Sequence, residues 1–169
     1  LTHGGREDRQ PAWSSDDSHV YFSSFRDNNY AIWRVRLDDG RLARVTQGSG
    51  GESHPSLATA ARQLAFQSEP NLDNDLLLVD RDSGSTTRIS GPVDDSFPSL
   101  AADGSRLAFV SDRWTDRNEV WILDLDAGQP RGQPRQLTRQ AGQASHPALS
   151  SDGRWVAYYR LDGAERDLW

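Results

Sequence analysis

The stretch of sequence that decides the fold lies at residues 98–113 and reads PSLAADGSRLAFVSDR. It consists of a proline, a short apolar segment, an Asp-Gly turn and an apolar strand that carries the aromatic Phe109. Aspartate followed by glycine favours a hairpin turn, because glycine adopts positive φ at no steric cost. Similar stretches make a repeat whose copies open at Pro11, Pro55, Pro98 and Pro147.

The repeat length predicts the architecture. The four prolines are separated by 44, 43 and 49 residues, and the four-stranded blades of β-propellers repeat at roughly 40–50 residues. The aromatic residue of the second strand recurs in register as Phe22, Phe66, Phe109 and Tyr158. An apolar–hydroxyl pair precedes each copy, as Leu1-Thr2, Val45-Thr46, Ile89-Ser90 and Leu137-Thr138. The sequence therefore predicts an all-β fold, a β-propeller of four-stranded antiparallel blades.

The third strand of each copy is centred on Trp33, Leu77, Trp121 and Trp169. The runs at 76–79 and 120–123 are continuously apolar, which is typical of a sheet covered on both faces, as in blades that stack face to face. The second copy has Thr-Ala-Ala at 59–61 in place of Asp-Gly, so we expect a less regular turn there.

We interpret residues 1–169 as one partial propeller domain, with repeats at approximately 1–46, 47–90, 91–138 and an incomplete 139–169. Exposed strand edges invite pairing, so a propeller needs every blade edge covered. We expect further blades of a longer chain to close the ring, which would then be a propeller of six or more blades. Two alternatives remain: the Leu1-Thr2 segment completes the last blade as its outer strand, or two copies of the chain self-associate.

The composition excludes several classes of function. The net charge of −6 and the pI of about 5.1 argue against a nucleic-acid partner, which a basic face would recognise. No apolar run approaches the roughly 20 residues of a membrane span, so we expect no membrane insertion. The chain has no cysteine, which excludes disulfides, thiol catalysis and cysteine metal sites but leaves the compartment undecided.

Function is expected on one side of the blades, because long variable loops carry function more often than tight repeated turns. We call this side the loop face. It carries the segments before the prolines and those between second and third strands, at 8–10, 52–54, 94–97, 144–146, 26–29, 69–75, 113–117 and 160–166.

His54 and His146 occupy the same repeat position beside the innermost strand, so they should lie near the mouth of the propeller channel. Histidine is a common metal ligand, and the nearby carboxylates are those of Glu52, Asp8 and Asp95. The matching positions are Gln10 and Phe97, which leaves two imidazoles. We therefore favour polar channel-mouth residues, with His54 and His146 as weak metal candidates and no cofactor.

Arg26, Arg113 and Arg160 recur after the second strand. They predict either salt bridges to neighbouring aspartates or a set of guanidinium groups that recognises carboxylates. Trp114 follows Arg113 directly, and a tryptophan beside an arginine is typical of a binding hot spot when it is exposed. The candidate binding residues of the loop face are therefore Arg26, Glu52, His54, Asp95, Arg113, Trp114, His146 and Arg160, and no catalytic residue is assigned.

The segments at 11–16, 98–104 and 147–153 resemble the P-x-W-S-P-D-G signature of TolB-like propeller repeats. The stretch at 109–113 resembles the family's F-x-S-D-R, and 120–124 resembles its I-Y-x-x-D. Serine or alanine replaces the second proline of the signature. The resemblance covers the whole chain.

The resemblance implies a protein- or peptide-binding propeller module in the periplasm or another extracytoplasmic compartment. The family also includes the gating propellers of prolyl-oligopeptidase-type serine peptidases and the metal-dependent oligogalacturonate lyases, which are the two alternative functions.

Overall fold

A computed structural model describes residues 2, 7–70, 73–91, 93–114, 117–139 and 142–169. These residues form fifteen strands in four antiparallel sheets. The first sheet contains β1 (Asp8–Trp13), β2 (His19–Arg26), β3 (Asn29–Arg36) and β4 (Leu42–Arg44). The second contains β5 (Gly51–Leu57), β6 (Gln63–Glu69), β7 (Asp75–Asp80) and β8 (Thr86–Arg88). The third contains β9 (Asp95–Leu100), β10 (Arg106–Ser111), β11 (Glu119–Asp126) and β12 (Gln129–Gln136). The fourth contains β13 (Gln143–Leu149), β14 (Val156–Asp162) and β15 (Glu165–Leu168).

Each sheet is one blade, in which the strands pair in chain order. The innermost strand of each later blade contacts the preceding blade: β5 packs on β1, β2 and β3, β9 on β5, β6 and β7, and β13 on β9, β10 and β11. The prediction of an all-β propeller built from antiparallel blades is confirmed. None of the described segments is a helix long and apolar enough to cross a membrane.

The core lies between the blades. Leu76 and Leu78 pack toward the third blade in a cluster with Phe109 and Trp121. The alternate residues Leu77 and Val79 of the same strand pack toward the first blade. Both faces of β7 are therefore covered, which explains why its sequence is continuously apolar.

We predicted loops before the prolines, and this prediction is wrong. Strands β1, β5, β9 and β13 begin at or before the residue three positions ahead of the proline. Each strand contains a β-bulge in which the proline and its predecessor lie opposite one aromatic residue of the second strand. Proline has no N–H to donate to a sheet, so a bulge is where an inner strand tolerates it.

The turns follow their sequences. The first, third and fourth blades close their first turn with a backbone hydrogen bond, for example from Gly104 N to Ala101 O at 3.0 Å. Residues 59–62, which lack Asp-Gly, form bends, as predicted. Predictions that involve Leu1, residues 71–72, Pro92, residues 115–116 and residues 140–141 lie outside the described residues.

Candidate functional site

Four residues, one from each blade, converge where the inner strands meet. They are the residues directly before the repeated prolines: Gln10, His54, Phe97 and His146. Together with the prolines that follow them they line a cavity of about 160 Å³. We call this set of four residues the channel mouth.

The side chains of the channel mouth touch one another. The Phe97 ring centroid lies 4.7 Å from that of His54 and 4.1 Å from that of His146, and the two imidazole centroids are 6.2 Å apart. Gln10 Nε2 lies 2.9 Å from His54 Nε2, and Gln10 Oε1 accepts a hydrogen bond of 3.1 Å from the His54 backbone N–H. The four blades thus present one continuous polar and aromatic surface.

The backbone fixes these positions in an unusual conformation. The φ angles are 54° at Gln10, 52° at His54, 52° at Phe97 and 49° at His146. Non-glycine residues adopt positive φ uncommonly, and such residues persist only where the surrounding structure enforces them. Here the β-bulge and the following proline enforce it in every blade. The backbone conformation at this position is therefore the same in all four blades, while the side chain differs.

The two histidines are neutral at physiological pH. Burial, and to a lesser extent the neighbouring His146, lowers the pKa of His54 from 6.5 to about 4. Burial also lowers the pKa of His146. The channel mouth therefore offers uncharged imidazoles, a phenyl ring and an amide, which suit polar and apolar contacts better than the binding of a charged group.

The carboxylates near the channel mouth are not free to bind a metal ion. The carboxylate of Glu52 is buried and accepts a hydrogen bond from the Thr46 hydroxyl, while that of Asp95 is engaged by Arg113. Burial raises the pKa of both carboxyls. Within the part of the chain that the structure describes, no group of three or more His, Cys, Asp or Glu side chains could hold a metal ion.

Arg113 forms a buried ion pair. Its Nη2 lies 2.5 Å from Asp95 Oδ2, and its Nε donates to Ser111 Oγ at 2.9 Å. The guanidinium carbon also lies 5.3 Å from the centroid of Trp121. Because Asp95 is fully buried, this pair joins the second strand to the innermost strand of the third blade.

Arg26 repeats the arrangement in the first blade, 3.5 Å from Asp8 and stacked 5.1 Å from the Trp33 centroid. The second blade has Pro70 and Leu77 at the two matching positions, so the arginine and the tryptophan are absent together. These contacts match the salt-bridge alternative for Arg26 and Arg113. Carboxylate recognition by these residues stays a prediction.

The remaining candidates lie apart from the channel mouth. Arg160 contacts Asp162 at 3.2 Å and stacks 5.2 Å from the Trp169 centroid. Trp114 is 82% exposed and lines a different cavity. The structure thus brings His54 and His146 together but not the arginines or Trp114.

A second cavity of about 250 Å³ widens the channel mouth between the first two blades. It shares Gln10 and His54 with the mouth and adds Tyr30, whose hydroxyl donates to Glu7. Tyr159 extends the other side, with its ring centroid 6.1 Å from that of His146. No sequence pattern pointed to either tyrosine, since both reach the site only through the packing of neighbouring strands. Phe97 was also missed, although it shares the repeat position of the histidines and the repeat alignment was the signal that could have identified it.

Comparison with known proteins points to one family, although no protein-family model matches the chain. A TolB homologue of Chlorobium luteolum is 30% identical over 127 residues, which cover 72% of this chain and 27% of the relative. A Tol-Pal system protein TolB of Francisella tularensis is 21% identical over 150 residues, 88% of this chain and 34% of the relative. An uncharacterized protein of Agrobacterium fabrum is 29% identical over 122 residues, 65% and 42%. The chain therefore spans between about a quarter and two fifths of the length of these relatives.

Solved structures share the fold. TolB of Acinetobacter baumannii superposes with a TM-score of 0.80 at 20% identity, covering 96% of this chain and 40% of that one. A structure of Agrobacterium tumefaciens named for TolB gives 0.84 at 18% identity, covering 98% and 59%. The scores fall to 0.66 for a prolyl endopeptidase and 0.60 for the oligogalacturonate lyase of Vibrio parahaemolyticus, so the two alternative functions have weaker neighbours. The homology supports a non-catalytic propeller module. The repeat, the blades and these relatives show that the chain belongs to the TolB-like β-propeller repeat family.

Proposed function

We propose that this chain is a recognition module that binds a protein or peptide partner at the channel mouth and the surrounding loop face. The observation that supports it most is the channel mouth itself, where four blades hold different side chains on an identical strained frame. Strained backbone is concentrated at functional sites.

The chemistry of the mouth suits a peptide. Phe97 and the repeated prolines offer apolar contact, while the Gln10 amide and the neutral imidazoles of His54 and His146 can each donate or accept a hydrogen bond. A peptide can make both kinds of contact, because its backbone carries hydrogen-bond donors and acceptors and its side chains supply apolar surface. The adjoining cavity lengthens the site beyond a single side chain.

The names of the relatives supply the proposed setting. Relatives from Francisella tularensis are Tol-Pal system proteins, and we extend this to a periplasmic location and a protein partner in an assembly of that type.

Site-specific photo-crosslinking in cells tests the proposal. A photoreactive phenylalanine analogue replaces Phe97, and a matched control carries it at Ser105, on the turns at the opposite side of the blades. We expect a discrete protein adduct from position 97 that is absent from position 105. Equal adducts from both positions, or none from 97 in a correctly folded protein, would contradict a partner at the channel mouth.

A further inference from the structure

A third cavity lies on the outer rim of the propeller, between the second and third blades. Its volume is about 380 Å³, and it shares no residue with the channel mouth. We call it the rim cavity. The lining residues that bear on its chemistry are Ile89, Val93, Arg113, Trp114, Gln133 and Pro134.

The rim cavity depends on a feature of the third blade. Its outer strand β12 has eight residues, whereas β4 and β8 have three each. The pairing of β12 with β11 shifts register around Gly132, which has a φ of 79°. Pro134 lies within this irregularity and Pro130 just before it, and both line the cavity. This part of the outer strand therefore offers apolar rings where a regular strand would offer N–H groups.

Trp114 forms the exposed rim of the cavity. Its side chain is 82% exposed although its φ is 59°, a conformation that a bulky residue adopts only under constraint. One edge contact, 5.2 Å between ring centroids, holds it against Trp121. The indole N–H donates to no described residue. Tryptophan is enriched among binding hot spots, and this indole is free to be covered by a partner.

Three side chains of the cavity can donate hydrogen bonds to a ligand: those of Arg113, Trp114 and Gln133. Among its described lining residues Arg113 carries the only charge, and none is a carboxylate. Its Nη2 and Nε are used by Asp95 and Ser111, while Nη1 has no partner within the described ranges. Nη1, the Trp114 N–H and the Gln133 amide are donors for a ligand with acceptor groups, and Nη1 could bind a ligand carboxylate beside Asp95.

We propose that the rim cavity binds an extended, proline-rich peptide that carries an acidic residue. A polyproline II segment has solvated carbonyl acceptors, lacks N–H groups at its prolines and is ordered before binding. Its rings pack on aromatic walls, as in other polyproline recognition, and the carboxylate complements Arg113.

Titration of the ¹⁵N-labelled protein with acetyl-Pro-Pro-Glu-Pro-Pro-amide tests the proposal. Each of the six tryptophans gives one indole N–H signal, and Trp114→Phe assigns that of Trp114. We expect a saturable shift of this signal. We expect Trp114→Ala to weaken binding by about tenfold or more, as truncation of a hot-spot residue does.

Two further variants separate the rim cavity from other surfaces. Gly91→Leu adds a bulky side chain at a lining residue of the cavity. A Cβ at Gly91 meets no atom within 4 Å and the backbone lies outside the left-handed region, so the variant should fold, and we expect a similar loss of affinity. Trp155→Ala removes another exposed tryptophan, 73% exposed and outside the cavity. This variant should bind the peptide as the parent protein does.

Several outcomes would overturn the proposal. Absence of a saturable shift at millimolar peptide, or unchanged affinity in Gly91→Leu, would show that the cavity does not bind this ligand. Equal affinity for the peptide with Lys in place of Glu would overturn its acidic character. A shift of the Trp114 signal by a neutral oligosaccharide but not by the peptide would replace the peptide by a sugar. None of these results depends on crosslinking at Phe97, so failure at the channel mouth is distinguishable.

Discussion

Protonation of His54 should destabilise the fold in a mildly acidic pH range. Burial lowers the pKa of this imidazole to about 4, whereas in the unfolded chain it titrates near 6.5. Between these values the unfolded state binds the proton and the folded state does not. The stability that the neutral His54 contributes is therefore complete above the unfolded pKa and is lost as the pH falls toward the folded pKa.

The magnitude follows from the shift. Proton linkage over the pH range 7 to 5 gives a ceiling of about 2 kcal/mol for the loss of unfolding free energy. The ring is only partly buried, so solvent screening reduces the expected loss to about 1 kcal/mol. His146 also has a lowered pKa, so its protonation should lower the free energy of unfolding further as the pH falls.

The matched variant is His54→Gln, because Gln10 occupies the same repeat position in the first blade with a φ of 54°. Urea unfolding at pH 7, 6 and 5 should show that the parent protein loses about 1 kcal/mol more than the variant across this range. Carboxylates elsewhere titrate alike in both proteins and cancel. Identical pH dependence of the two proteins, or a His54 pKa of 6.5 or above by NMR, would refute the reasoning.

Three further perturbations test the packing that positions the site. Arg113→Met should cost about 3 kcal/mol in chemical denaturation by leaving Asp95 buried without its cation, and adding Asp95→Asn should recover part of this loss; additive losses would contradict the ion pair. Gly104→Ala should lower the melting temperature more than Gly40→Ala, although both glycines have positive φ. A Cβ at Gly104 would lie 2.9 Å from the Ala61 Cβ of the neighbouring blade, whereas a Cβ at Gly40 meets nothing within 4 Å. Equal shifts in the two variants would argue against close contact between the blades. Thr46→Val should cost about 1–3 kcal/mol, because the hydroxyl serves both the Ile32 N–H and the buried Glu52; thermal unfolding unchanged by this variant would contradict that role.

Much of the fold could be predicted because its signals are local and repeated. The Asp-Gly turns fix hairpins through the positive φ of glycine, as at Gly104. The uninterrupted apolar run at 76–79 indicated a sheet covered on both faces, and Leu76 and Leu77 pack toward different blades. The prediction failed at the segments before the prolines, because a β-bulge is set by pairing with the next strand and has no reliable local signal.

The candidate site was only partly predictable for the same reason. Repeat alignment placed His54 and His146 near one another, since equal positions in successive blades converge at the axis. It did not show that Phe97 contacts both rings, or that Trp114 lies over a cavity bounded by β12. Those features depend on distances between segments far apart in the chain.

The sequence by itself determined the all-β architecture, the repeat and the family resemblance, because turn chemistry, strand periodicity and spacing are written in consecutive residues. The tertiary structure alone decided which polar side chains are available for binding. Arg113 and Asp95 have equal claims as binding residues in the sequence, but the fold buries Asp95 and commits Nη2 of Arg113 to it. It leaves the four channel-mouth residues on the surface of a cavity instead. Burial and partnership arise when blades stack, and only the packed molecule fixes which groups lose contact with water.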